Sequence, residues 1–383
     1  MLPTCCRNAM RLKPIGKRKL LLRCYSTAPG PSPSILFFGT DRFSIECLDR
    51  LNMARETEPG LIGHIEVVTK PPSLEGRGKK AQKSKSIPLL SMRELNIVPT
   101  QIYAEKHNIP VHNVTKESIK EFNPTHETHP FDLVIAASFG LFIPAHILEG
   151  RSTINVHPSL LPQYRGPAPI EHAILNGDRH SGISLQTIST QGFDKGIVFA
   201  QSLPIPIDET ERLASLRYRL GVSASKMLLK CIMGRTYLDP QPVKTFTEES
   251  YAPLVHIQID WTAMSAEHIV RVGRLFEPTA FLISKDDGRL VSCHLSGISH
   301  RQQEGGKHKP GDFFLAREAQ FGKKKMVVVC ADGKTVFVED IKVSGRNWIT
   351  GLNFTTTSDE RFWGNKFVPW RREFEDHDPK EFE

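Results

Sequence analysis

Apart from Asp132 and Ser138, every position from Phe131 to Gly140 (FDLVIAASFG) is apolar or glycine. A run this short and this uninterrupted reads as a strand buried on both faces, and such strands occur where helices cover a parallel sheet above and below. Ile35–Phe38 in PSPSILFFGT and the segment HIEVVTK (64–70) repeat the pattern. Between them, DRFSIECLDRLNMA carries Phe43, Ile45, Cys47, Leu48 and Leu51 at the spacing of an amphipathic helix. STINVH (152–157) supplies a fourth strand and GISLQTI (182–188) a fifth. Strands alternating with helical stretches predict a doubly wound α/β domain over residues 34–235.

The chain has 383 residues, enough for a second core, and its 39% apolar and 24% charged content is that of a soluble globular protein. No apolar run reaches the length that spans a bilayer, so no membrane partner is expected. The net charge is +8, but residues 1–25 hold seven basic residues (Arg7, Arg11, Lys13, Lys17, Arg18, Lys19, Arg23) and no acidic one; without them the charge is +1. That composition is a mitochondrial transit segment, expected over residues 1–33 with cleavage near Tyr25 or Ser26 and the matrix as destination. Global charge is therefore no argument for nucleic acid. The seven cysteines show no CxxC or Cys/His ligand spacing, so neither a disulfide framework nor a metal site is expected. A reducing compartment fits.

Beyond residue 235 the character changes. A Pro- and Thr-containing polar stretch reads as a linker over 236–262. AEHIVRVGRLF then predicts a helix, followed by short strand-like pieces with Asp332-Gly333 as a hairpin turn. A small β-rich domain over 263–372 and an acidic tail over 373–383 complete the expectation.

Three stretches carry chemistry. In INVHPSLLPQYRGPAP (154–169), Ile154 and Val156 alternate with Asn155 and His157, so the apolar pair buries while both polar side chains project together. An amide beside an imidazole suits an oxyanion forming at a carbonyl, and the imidazole can pass a proton. A single strand histidine is equally at home as a packed core residue; Pro158 and Pro162, which end strand pairing and stiffen the following loop, favour a site. Asp194, between Gly192 and Gly196, is of a kind that often only caps a turn, but within reach of His157 it would orient the ring. Residues 70–88 (KPPSLEGRGKKAQKSKSIP) hold six basic residues against Glu75. Such a run is commonly a solvated face, and beside a ligand site it can track phosphates. GTDRFS is not GxGxxG, and neither a P-loop nor GxSxG occurs.

These motifs resemble the folate-dependent formyltransferases. NVHPSLLPQYRGPAPIEHAILNGD resembles the family's signature block, FDKG its aspartate loop, ILFFGTDRFS its first strand and turn. GRGKK, with IDW (259–261) and PGDF (310–313), resembles the branch that acts on methionyl-tRNA. Asp41-Arg42 stands where a Pro-Asp pair is usual, and FEPTAF (276–281) lacks a usual Trp-Pro. The resemblance implies a Rossmann-like catalytic domain, an OB-like C-terminal barrel that helps hold tRNA, and 10-formyltetrahydrofolate as co-substrate. It implies catalysis by Asn155, His157 and Asp194, a folate site lined by Ser159, Leu160, Leu161 and Pro162, and contacts to initiator methionyl-tRNA from Arg77, Lys79 and Lys80. A monomer is expected. Transfer to a small amine such as glycinamide ribonucleotide or a sugar nucleotide, formate release, and a non-catalytic folate- or RNA-binding role stay open at this point.

Overall fold

The computed structural model describes residues 31–72, 98–124, 130–243, 250–255, 258–286, 288–317, 323–357, 362 and 365–368. Most of the expected leader, the basic stretch with Arg77, Lys79 and Lys80, and the acidic tail lie outside the described residues.

The first layer begins with β1 (Ser34–Gly39), α1 (Arg42–Thr57), β2 (His64–Thr69), α2 (Pro99–Lys106) and β3 (Val111–Asn113). It continues through β4 (Leu133–Ala137), α3 (Ala145–Leu148), β5 (Ser152–His157) and α4 (Pro169–Leu175). Then come β6 (His180–Ser181), β7 (Ser184–Gln186), β8 (Val198–Gln201), β9 (Ile205–Pro206) and α5 (Leu213–Met233). The main sheet has the order β3-β2-β1-β4-β5-β7-β8, with β1 to β5 parallel and β7 and β8 antiparallel. β6 and β9 form a separate ribbon. The direction of strand addition reverses between β1 and β4, which opens a crevice at their C-terminal ends.

Alternate residues of β1 and β4 enter two different cores, as a doubly covered sheet requires. Ile35, Phe37, Leu133 and Ile135 pack with α1, α4 and α5, whereas Leu36, Phe38, Val134 and Ala136 pack with Phe139, Ile143 and Ile147. The Asp41-Arg42 turn starts α1 through a capping box, in which Asp41 accepts the backbone N–H of Ser44 at 3.1 Å and Ser44 Oγ faces the Asp41 N–H. Ser44 is consequently buried, and Ile45, expected in the apolar stripe, is only half-buried.

The stretch expected as a linker is anchored at a few points among the described residues. Tyr237 is buried, Ser250–Ala252 runs beside Arg165, and Ile259 and Trp261 belong to the second core. Beyond it lie α6 (Ala266–Leu275) and the strands β10 (Thr279–Ile283), β11 (Leu290–Ser296), β12 (Ser299–Glu304) and β13 (Phe313–Arg317). β14 (Lys324–Val329), β15 (Lys334–Val338), β16 (Asp340–Val343), β17 (Ile349–Thr350) and α7 (Gly351–Thr357) follow. Among the described residues they form two antiparallel four-stranded sheets, β10-β11-β16-β17 and β12-β15-β14-β13, and no closed barrel. Asp332-Gly333 joins β14 to β15, with Gly333 at φ +75°. Asp332 Oδ1 also accepts the Ala266 N–H, tying this hairpin to the start of α6.

Candidate active site

A cavity of about 470 Å³ opens at the C-terminal ends of the parallel strands. Its lining comes from the residues that follow each strand: Thr40 after β1, Lys70 after β2, Phe139–Ile143 after β4, and Phe193 and Asp194 from the β7–β8 loop. Asn155 and His157, at the end of β5, line it as well. Thr40 Oγ1 donates to the Ser138 carbonyl at 2.5 Å, which ties the β1 and β4 loops together.

β5 pairs with β7 so that Asn155 lies opposite Gln186 and His157 opposite Ser184. Asp194 reaches this strand end because its own backbone is left-handed, φ +55°, two residues after Gly192 at φ +146°. A Cβ at Gly196 would overlap the Thr187 carbonyl, so the loop closes that tightly only with glycine there. Asn155 Nδ2 donates to Asp194 Oδ1 at 2.8 Å, as does Gln186 Nε2 at 2.8 Å. The Gly166 N–H donates to Asp194 Oδ2 at 2.8 Å. His157 Nδ1 lies 3.4 Å from Asp194 Oδ1, and both side chains are buried. On the other side of the ring, Nε2 is 2.8 Å from the Tyr164 carbonyl. A carbonyl only accepts, so Nε2 carries a hydrogen, and the imidazole stands between two acceptors. The three residues singled out as catalytic therefore converge on one carboxylate.

Sequence reasoning missed Gln186, Tyr164 and Gly166. Gln186 is fully buried at the end of β7, and the only signal was a polar residue inside GISLQTI, since its pairing with Asn155 depends on register. Tyr164 acts through its carbonyl and Gly166 through its amide, which leave no side-chain signature. Gly166 sits at φ +107° with the Tyr251 ring 2.6 Å from where a Cβ would stand.

The Ser159–Pro162 turn lies behind the strand end. Ser159 and Leu161 are buried; Ser159 Oγ donates to the Gln163 carbonyl at 2.6 Å, and Ser184 Oγ bridges the Ser159 carbonyl and the Leu161 N–H. Leu160 packs over Gly182. Of this turn it is Pro158, not Ser159, Leu160, Leu161 or Pro162, that lines the cavity. The apolar wall is instead Phe139, Leu141, Phe142, Ile143, Ile188 and Phe193, with the Phe142 and Phe193 rings edge to face at 6.0 Å. Among the described residues no cluster of His, Cys, Asp and Glu is arranged to hold a metal, and no helix is long and apolar enough to cross a membrane.

Residues 34–232 match the family described as formyl transferase. The mitochondrial methionyl-tRNA formyltransferase of Saccharomyces cerevisiae is 30% identical over 295 residues, covering 68% of this chain and 73% of the yeast protein. The methionyl-tRNA formyltransferase of Lactobacillus acidophilus is 27% identical, covering 88% of this chain and 97% of its own. Among solved structures, the sugar 3N-formyl transferase WlaRD has the same fold, with a TM-score of 0.50 and 17% identity over 83% of this chain and 100% of that one. The chain belongs to the formyl transferase family, in the branch of the methionyl-tRNA formyltransferases.

Proposed function

We infer that this enzyme transfers a formyl group to the α-amine of methionyl-tRNA, giving N-formylmethionyl-tRNA for initiation of mitochondrial translation. The observation that carries the chemistry is the convergence of Asn155, His157 and Asp194 at a cavity mouth in a chain of this branch. The donor in this reading is 10-formyltetrahydrofolate, its flat rings against the apolar wall of Phe139–Ile143 and Phe193, with Ser159, Leu160, Leu161 and Pro162 bracing the strand end from behind.

The amine attacks the formyl carbon, the carbonyl oxygen takes up negative charge, and the C–N bond to the folate N10 breaks as that nitrogen receives a proton. Asn155 Nδ2 gives one hydrogen to Asp194 and has a second for the oxyanion. His157, held between Asp194 and the Tyr164 carbonyl, stands beside that oxygen and shares its stabilisation when protonated. Asp194 holds both and relays the proton leaving the amine. Alignment of two bulky substrates contributes the rest, a proximity effect.

The C-terminal sheets pack as an OB-like tRNA-holding domain in this proposal. Arg77, Lys79 and Lys80 contact the acceptor arm, and the protein works as a monomer in the mitochondrial matrix. The acid-free basic composition of residues 1–25 and the likeness to the yeast mitochondrial protein support the location.

The test offers labelled 10-formyltetrahydrofolate with methionyl-tRNA, uncharged tRNA and free methionine in parallel. Label in N-formylmethionyl-tRNA alone is expected. Label in a small amine, or free formate in every arm, would overturn the acceptor assignment.

A further inference from the structure

Every polar group of Tyr164 is engaged, and its backbone adopts a conformation that a bulky residue rarely takes. Its φ is +59°, in the left-handed region, and its side chain is buried. The phenol donates to Asp178 Oδ2 at 2.7 Å and accepts from Asn176 Nδ2 at 2.8 Å. Its N–H donates to Ser250 Oγ at 2.8 Å, and its carbonyl accepts from His157 Nε2 at 2.8 Å. Two residues on, the Gly166 N–H holds Asp194. A single turn thus orients both the imidazole and the carboxylate.

We infer that Tyr164 is a positioning residue for formyl transfer: its hydroxyl, clamped by Asp178 and Asn176, holds the strained turn whose carbonyl fixes His157. This rests on the reading of His157 as catalytic. Strained backbone persists where surrounding bonds over-determine it, and here they come from two separate segments: the turn that ends α4, with Asn176 and Asp178, and Ser250 from the chain returning after α5. Released from the clamp, the residue would relax toward negative φ and swing its carbonyl away from Nε2. Burial pushes the Tyr164 phenol up to about 12, so it remains a donor to Asp178 at working pH. The hydroxyl is not among the groups lining the cavity, which separates this role from substrate contact.

The experiment compares the full-length enzyme with Tyr164→Phe, Asp178→Ala and Asp178→Asn, using 10-formyltetrahydrofolate and methionyl-tRNA, with ¹⁵N-histidine NMR of each protein. Tyr164→Phe and Asp178→Ala are expected to lower kcat about tenfold, the worth of one hydrogen bond to a charged group. The KM for the formyl donor should stay within about twofold, the pattern of a lost transition-state arrangement. Asp178→Asn keeps an acceptor for the phenol and should restore most of the rate. The His157 Nε2 resonance should move in the first two variants and return in the third. Wild-type kcat in Tyr164→Phe, a change in KM alone, or an unmoved Nε2 resonance would overturn the proposal. If Tyr164→Phe does not fold, the Asp178 pair decides it. A wild-type enzyme that fails to formylate methionyl-tRNA overturns the function instead, and the Nε2 resonance still reports whether Tyr164 positions His157.

Discussion

Gln186 Nε2 lies 2.8 Å from Asp194 Oδ1, while Gln186 Oε1 is buried with no hydrogen-bond partner among the described residues. The amide is thus retained for its donor side. Gln186→Glu would replace that donor with a second carboxyl group facing Asp194, and two carboxylates at this distance hold a shared proton. The acidic limb of the kcat profile should move to higher pH, with neutral-pH kcat down at least about tenfold. Rates between pH 5 and 9 check this; a profile superimposable on that of the wild type would refute the role.

Removing a member of the converged set should cost turnover rather than binding. His157→Ala and Asp194→Ala are each expected to lower kcat about 10²- to 10⁴-fold, while the affinity for the folate, whose proposed wall is apolar, changes little. Single-turnover transfer and equilibrium titration of the donor separate the two. Full activity in Asp194→Ala would remove the carboxylate from the mechanism.

Glu66 sets a pH-dependent contribution to stability away from the cavity. Burial opposes its ionisation, yet hydrogen bonds from His112 and His64, at 2.5 and 2.9 Å, hold its carboxyl below the ordinary glutamate value of 4.5. A depressed folded value means stabilisation that is present above 4.5 and lost as pH falls through the folded value. Glu66→Gln should therefore lower Tm at about pH 6–7, and the difference should shrink as pH falls below 4.5 and through the folded value. Melting curves across that range test the sign.

Cys47, Cys231, Cys293 and Cys330 are all buried, and burial pushes each thiol up, Cys330 to about 12. Thiolate is the reactive form, so a chain carrying Cys5→Ser, Cys6→Ser and Cys24→Ser should give almost no colour with a disulfide reagent until denatured, then four equivalents. Rapid native labelling would contradict the packing of these cores.

The doubly covered sheet was legible because a strand buried on both faces must be apolar at successive positions, and Ile35–Phe38 and Leu133–Ala137 are. Asn155 and His157 were legible for the converse reason, as polar residues alternating with buried ones. β3, three residues long, has too little pattern to announce itself. Gln186 needed the β5–β7 register, which pairing across 31 residues of chain sets and local spacing does not. Tyr164 and Gly166 contribute backbone atoms, and every residue has those. Ser159, Leu160, Leu161 and Pro162 were expected to line the folate site on the strength of the family resemblance; in the structure this turn also braces the strand end, with Gln201 Nε2 donating to the Leu161 carbonyl at 2.7 Å.

The pairing of Ser250–Ala252 with Arg165 sets a rule for building hybrids of this enzyme. The chain does not leave the first core at the end of α5, since Ala252 still packs within it. It returns, exchanges backbone hydrogen bonds with the turn that holds His157 and Asp194, and gives its Pro253 carbonyl to His172 before departing. A chimera spliced at Met233 would set foreign residues against Arg165, beside the candidate site; one spliced after Pro253 would keep the native pairing there.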